Sequence, residues 1–235
     1  MREQSFVILV YNEEDFISRC LESIKNYAKE IVIGNNECTD DTISIIEKFC
    51  NENNIPYKIK DITLKELYDN GFAWAKNQLI EMCEGNLIHV IDGDERLVMT
   101  EDFSFDLNYY SIITKTFKNN GDGNINSSQF LTENHVRLFK KDSGIRYKGI
   151  IHEVLFDDKS WILHTNLTEI KHIHYTEFKK KNKGRILNLY YALLYKAYCN
   201  EELREGISNY WFDVVVKNNL ENIKKESENF INNLK

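Results

Sequence analysis

The chain has 235 residues, 42% of them hydrophobic and 12% aromatic, and a formal net charge of −7. Such a length and apolar content suit one domain with a small appendage and exclude global disorder. The acidic balance excludes a general nucleic-acid binder, whose electrostatic footprint is basic. The five scattered cysteines, none in CxxC spacing, point to neither a zinc site nor a disulfide framework.

The first run, Phe6-Val7-Ile8-Leu9-Val10, is too short and wrongly flanked for a signal peptide or a membrane span. A cytoplasmic protein with reduced thiols and no integral membrane segment is therefore expected. The run itself reads as a buried strand, broken by Asn12-Glu13-Glu14. Phe16, Ile17, Cys20, Leu21 and Ile24 then recur at helical spacing. Ile31-Val32-Ile33 is a second strand, followed by the polar loop 34–41 and a helix carrying Ile43, Ile45, Ile46 and Phe49, with Thr39 or Asp40 as its N-cap. Residues 57–62 alternate like a third strand, and 72–82 read as a helix ending near Gly85.

The fourth strand, Leu87-Ile88-His89-Val90-Ile91, runs into Asp92-Gly93-Asp94-Glu95. Side chains at i and i+2 of an extended chain share one face, so Asp92 and Asp94 can converge on one cation. Hard oxygen ligands suit Mg²⁺ or Mn²⁺, which commonly bring a substrate diphosphate. Alternating strands and helices imply a mainly parallel sheet flanked by helices, with ligands beyond the carboxyl ends of the strands. The polar sets 11–14, 34–41 and 92–95 should then gather at one edge.

Past residue 100 the pattern changes. Residues 109–114 and 136–139 look like strands separated by a Gly/Asn-rich loop at 119–128, expected to be the most mobile segment. A short strand pair is expected at 150–156 and 160–165. From Lys179 the chain turns helical, with Ile186, Leu187, Tyr190, Leu193 and Leu194 on one face, then a Trp211-Phe212 patch and an amphipathic stretch over 217–235.

Taken in order, these motifs resemble the family 2 inverting glycosyltransferases of the GT-A fold. Val10-Tyr11-Asn12-Glu13-Glu14, Glu30-Ile31-Val32-Ile33 with Thr39-Asp40-Asp41-Thr42, Phe72-Ala73-Trp74-Ala75-Lys76-Asn77 and Ile91-Asp92-Gly93-Asp94-Glu95 carry the likeness. Arg137-Leu138-Phe139, Tyr147-Lys148-Gly149-Ile150-Ile151-His152-Glu153 and His172-Ile173-His174-Tyr175 resemble a bacterial subgroup. That subgroup includes relatives of peptide S-glycosyltransferases and lipopolysaccharide-core glucosyltransferases.

The resemblance implies an α/β GT-A domain over 1–178, with a nucleotide-sugar half at 1–100 and a partly antiparallel acceptor half at 101–178. A helical extension follows at 179–235, whose helices would be the surface for a homodimer. The implied donor is a UDP-linked glucose or N-acetylhexosamine; the acceptor is a peptide, a protein side chain or a glycan. Asp92, Asp94 and His174 would hold Mn²⁺ or Mg²⁺, which neutralises the leaving diphosphate. Tyr11, Asn12, Glu13, Asn35, Lys76, Asp92, Gly93, Lys183 and Arg185 would bind the nucleotide sugar, and Glu153 would be the general base. In an extended segment His152 should point away from Glu153.

Alternatives stay open at each point. His174 could be an ordinary strand histidine, Glu153 a surface carboxylate or a partner of Arg137, and the lysines at 179–183 a solvated face. Asn35 stands where the family has an aspartate that accepts from uracil N3, and its amide could equally donate. Glu37-Cys38 replaces the family's Gly-Ser. A sugar nucleotidyltransferase would show a Gly-rich basic loop where this chain has Asn-Glu-Glu. A non-catalytic binding module would have lost the acids that are present here.

Overall fold

The computed structural model describes residues 3–99, 108–119, 125–157, 159, 161–162, 167–175, 183–204, 212 and 216–234. The first half builds β1 (Gln4–Val10), α1 (Ile17–Ile24), β2 (Ala28–Asn35), α2 (Thr42–Glu52), β3 (Tyr57–Asp61), α3 (Leu64–Met82), β4 (Leu87–Val90) and β5 (Glu95–Val98). The second half adds β6 (Tyr109–Asn119), β7 (Ile125–Lys140), β8 (Arg146–Lys148), β9 (Val154–Phe156), β10 (Trp161–Ile162) and β11 (Leu167–Tyr175). The helices α4 (Lys183–Cys199) and α5 (Leu220–Asn233) close the chain.

Eight strands form one sheet in the order β3-β2-β1-β4-β7-β6-β11-β5, and β10-β9-β8 form a small antiparallel sheet. The pairs β3–β2, β2–β1, β1–β4 and β6–β11 are parallel, whereas β4–β7, β7–β6 and β11–β5 are antiparallel. The fold is therefore mixed α/β, parallel through β3-β2-β1-β4, as the βαβ pattern requires.

Period-two alternation sorts the strand side chains between two cores. Phe6, Ile8, Val10, Ile31 and Ile33 pack on Ile17, Leu21 and Ile46 of α1 and α2. Val7, Val32, Ile88 and Val90 pack on Leu79 and Ile80 of α3, and the same cluster takes in Leu193 of α4 and Ile223 and Phe230 of α5. Leu193, Ile223 and Phe230 of the C-terminal extension thus belong to the chain's own core. Among the described residues no helix is long and apolar enough to cross a membrane.

Several boundaries differ from expectation. Asp41, not Thr39 or Asp40, holds the N-cap position of α2, yet the Asp40 carboxylate accepts the Thr42 N–H at 3.1 Å, so it still serves the helix start. α3 begins eight residues early, on a Thr63/Glu66 capping box, and is interrupted at Gly71, where φ is 83°. β7 begins at Ile125, inside the expected loop, because Asn119 pairs with Ile125; residues 120–124 lie outside the described ones. β5 and β11 form where no strand was expected. Lys179, Lys180, Lys181 and Trp211 lie outside the described residues.

Candidate functional site

The carboxyl ends of β1, β2 and β4 open on a cavity of ≈ 520 Å³. Tyr11 and Glu13 reach it from the β1 loop, Asn36 from the β2 loop and Asp92, Gly93 and Asp94 from the β4 loop. Lys76 enters from α3, Arg137 from β7, and His152 and Glu153 from the turn before β9. The three polar sets do share one edge, because each follows a parallel strand.

Asp92-Gly93-Asp94-Glu95 is a tight turn linking β4 to β5, closed by the Glu95 N–H donating to the Asp92 carbonyl at 2.9 Å. A Cβ on Gly93 would lie 3.2 Å from Val10 Cγ1 and 3.3 Å from Glu13 Cγ, so the smallest residue is what fits. The Glu95 carboxylate accepts the Asp92 N–H at 3.0 Å. Arg137 donates to Asp92 Oδ2 at 3.1 Å and to Glu95 Oε2 at 2.9 Å. Asp94 is buried, 5% exposed. Burial, reinforced by the charges of Glu95, Asp94, Asp92 and Glu13, pushes the nearby Cys20 thiol well up, as expected where carboxylates crowd.

On the opposite wall α3 grips the segment that carries Glu153. The side chain of Asn77 exchanges two hydrogen bonds with the Tyr147 backbone, at 2.9 and 2.8 Å. Phe72 N–H donates to the Ile150 carbonyl at 3.0 Å. A Cβ at Gly71 would come within 2.4 Å of Ile150 Cα, so this approach needs glycine. The clamp brings the Lys76 ammonium onto the Glu153 carboxylate; their side chains are 13% and 15% exposed. Lys76 also sits 5.1 Å from the centre of the Tyr147 ring. Burial opposes its charge, but Glu153, Tyr147 and Asp92 outweigh that and hold the ammonium protonated. Burial likewise pushes the Tyr147 phenol up to about 12.

The alternative pairing of Glu153 with Arg137 is corrected: Lys76 takes Glu153, and Arg137 takes Asp92 and Glu95. The expected opposition of His152 and Glu153 also fails. Gly149 at φ 102° and His152 at φ 52° bend the backbone, so the two side chains line one cavity rather than opposite faces of a strand. His152 Nε2 lies 3.0 Å from the Tyr190 hydroxyl, and burial lowers its pKa despite the Glu153 charge.

Other expected residues are placed differently. Asn12 is outside the cavity lining: its backbone has φ 50°, and its side chain knits to Thr39 through bonds of 3.2 and 2.8 Å. Asn35 donates to Asp61 at 2.8 Å and accepts the Cys38 N–H at 2.9 Å, while its neighbour Asn36 lines the cavity. The alternation at the end of β2 turns one of two adjacent asparagines inward. Arg185 lies 4.4 Å over the Tyr11 ring and pairs with Glu37. For His174 and Lys183 only the backbone is described; strand register sets His174 opposite Glu95, beside the acidic turn. Among the described residues no three His, Cys, Asp or Glu side chains form a metal-ready group.

Along α4, Ile186 and Tyr190 line the cavity, while Leu189, Leu193 and Ala197 are buried in the core and Leu187 is 44% exposed. The expected single apolar face is therefore split between cavity and core. Arg137 and Tyr147 were read only as parts of motifs. An arginine inside an apolar strand must find carboxylates, and that was the signal for Arg137.

Residues 5–100 match the profile described as glycosyl transferase family 2. The SPbeta prophage-derived glycosyltransferase SunS of Bacillus subtilis (strain 168) is 36% identical over 88 residues, 37% of this chain and 19% of SunS. The uncharacterized glycosyltransferase RT0209 of Rickettsia typhi is 32% identical over 97 residues, 41% of this chain and 30% of that protein. These matches span less than a third of either relative. S. aureus TarS residues 1–349, in complex with UDP, gives a TM-score of 0.48 at 15% identity, covering 92% of this chain and 74% of that one. The strand ends and the acidic turn all lie inside the matched residues 5–100, so the similarity to family 2 glycosyl transferases falls on the part of the chain that builds this cavity edge.

Proposed function

We propose that the protein is a glycosyltransferase that transfers a sugar, with inversion, from a UDP-linked hexose or N-acetylhexosamine to a peptide, protein or glycan nucleophile, with a divalent cation bound at Asp92 and Asp94. The observation that carries the reading is the convergence of Asp92, Asp94, Lys76 and Glu153 on one cavity at the strand ends. The donor set fits a hard cation. Glu13, Asp92, Asp94 and Glu153 face only Lys76 and Arg137 among the charged lining residues, a formal balance of −2. A diphosphate entering alone would be repelled; Mg²⁺ or Mn²⁺ restores the balance and draws oxygen ligands. His174, by its strand register beside Glu95, is the candidate for a third ligand. When bound, the cation stabilises charge on the leaving diphosphate.

Every other part falls to the chain's side chains. Tyr11 and Glu13 receive the nucleoside, with Asn36, whose buried Oδ1 has no hydrogen-bond partner among the described residues, as the amide that the β2 end presents to it. Lys76 neutralises the diphosphate. The Glu153 carboxylate takes the proton of the acceptor O–H or S–H while the acceptor's electron pair forms a bond to the anomeric carbon. The bond from that carbon to the diphosphate oxygen breaks, and its electron pair leaves with the nucleotide. Arg185, near the start of α4 and 4.4 Å over the Tyr11 ring, covers the nucleoside side, and Lys183 belongs to the same first turn.

Calorimetry with UDP, GDP and CDP, with and without Mn²⁺, tests the donor side. UDP should bind best and should weaken on metal removal; tighter GDP or CDP binding would overturn the uridine assignment. Glu153→Gln should retain UDP binding and lose transfer in a donor panel scored by mass spectrometry.

A further inference from the structure

The Lys76–Glu153 pair joins the two residues to which the proposed reaction gives opposite duties. Lys76 serves the donor diphosphate and Glu153 serves the acceptor proton, yet they are bonded to each other across 77 positions of sequence. The pair is enclosed, with side-chain exposures of 13% and 15%, so water screens it weakly. A carboxylate oxygen occupied by an ammonium is not open to an acceptor's proton. An ammonium held by a carboxylate is equally poorly placed to neutralise a phosphate.

We infer that Lys76 is a positioning residue shared between the two half-sites: it rests on Glu153 until a nucleoside diphosphate enters, then moves to the diphosphate and leaves Glu153 as an uncovered base. Lys76 has a flexible four-carbon stem and lines the same cavity as Asp92, Gly93 and Asp94, so the move needs no backbone change. The other cavity cation, Arg137, is fixed by two carboxylates, and its bonds to Asp92 and Glu95 tie it to the acidic turn. Lys76, whose one carboxylate partner is Glu153 among the ion pairs of the described residues, is the cation that can be transferred. Donor binding would thereby precede productive acceptor binding. This rests on the roles given above to Lys76 and Glu153.

The test is calorimetry of UDP with Mn²⁺ on the full chain. Glu153→Gln removes the carboxylate that competes for Lys76 and should tighten UDP roughly fivefold, the scale of a partly exposed ion pair. Lys76→Gln should weaken UDP roughly tenfold by removing a charge-assisted contact. In the Lys76→Gln background, Glu153→Gln should then leave UDP affinity unchanged. Glu153→Asp, which withdraws the carboxylate by one methylene but keeps its charge, should give part of the gain. An unaltered affinity in Glu153→Gln overturns the inference. So does an equal gain in both backgrounds, which is simple repulsion between Glu153 and the diphosphate. Tightened UDP together with retained transfer in Glu153→Gln would instead sink the base assignment and leave the competition for Lys76 standing.

Discussion

Arg137 leaves β7 with its side chain 15% exposed and meets two carboxylates, 3.1 Å from Asp92 and 2.9 Å from Glu95, of which Glu95 is 2% exposed. Replacing it with Met would leave Glu95 buried without that charge. Breaking a buried pair from one side costs about 3 kcal/mol. Arg137→Met should therefore lower the unfolding free energy read from urea titration by about that much and also weaken UDP–Mn²⁺ binding by releasing Asp92; unaltered stability would show that the guanidinium is not what holds the turn. Asp94→Ala removes a proposed ligand from the same turn. It should abolish the metal dependence of UDP binding, read by calorimetry with and without Mn²⁺. At this scale spacing pointed to Asp92 and Asp94 and the family resemblance pointed to Glu153, and all three line one cavity. The pairing of Lys76 with Glu153 was not, because it joins positions 77 apart through a clamp that only packing creates.

Two elements carry unusual backbone that the sequence only hinted at. Gly71 divides α3, and its φ of 83° lets Ile150 approach where a Cβ would stand 2.4 Å away. Both the dihedral and the space are refused to alanine, so Gly71→Ala should cost about 2 kcal/mol or more. It should also displace the Glu153 turn, measured as lost transfer alongside the drop in thermal midpoint; equal loss of neither would show that the segment yields. Glu37 adopts φ 55° where the family pattern has glycine, and its carboxylate pairs with Arg185 of α4, which covers Tyr11. A left-handed non-glycine residue costs about 1 kcal/mol, and an exposed ion pair returns up to about 1 kcal/mol. Glu37→Gly should thus leave global stability nearly unchanged while amide exchange accelerates in the first turns of α4. Strong global destabilisation would contradict that balance. Helices α1 and α2 and strands β1 to β4 were readable because each buries its own periodic residues. β5 was not, since its one partner among the described residues is β11, an element some seventy residues on, and β11 in turn depends on β6.

For the molecule as a whole, acid stability has an identifiable anchor at the end of the sheet away from the cavity. Glu30 is 4% exposed; its carboxylate accepts from Ser5 at 2.7 Å, Gly85 at 2.9 Å and Glu84 at 2.6 Å, with Lys58 at 3.5 Å. Burial pushes its pKa up, but the bonds from Ser5, Gly85 and Glu84 and the Lys58 charge together hold it below the ordinary value. A depressed carboxyl pKa contributes stability above the unfolded value of about 4.3, and that stability fades as pH falls through the folded pKa. Urea unfolding between pH 7 and 3 should show a steeper loss for the native protein than for Glu30→Gln, which starts less stable at pH 7; parallel curves would remove Glu30 as the anchor. The sequence by itself determined the alternating α/β order, the parallel first half, the two cores and the edge at which polar loops collect, because period and strand ends are local properties. Only the tertiary structure decided which cation meets which carboxylate, that Asn36 rather than Asn35 lines the cavity, and that α4 divides its apolar residues between core and site. Those outcomes depend on contacts between residues far apart in the chain, and no local periodicity encodes them.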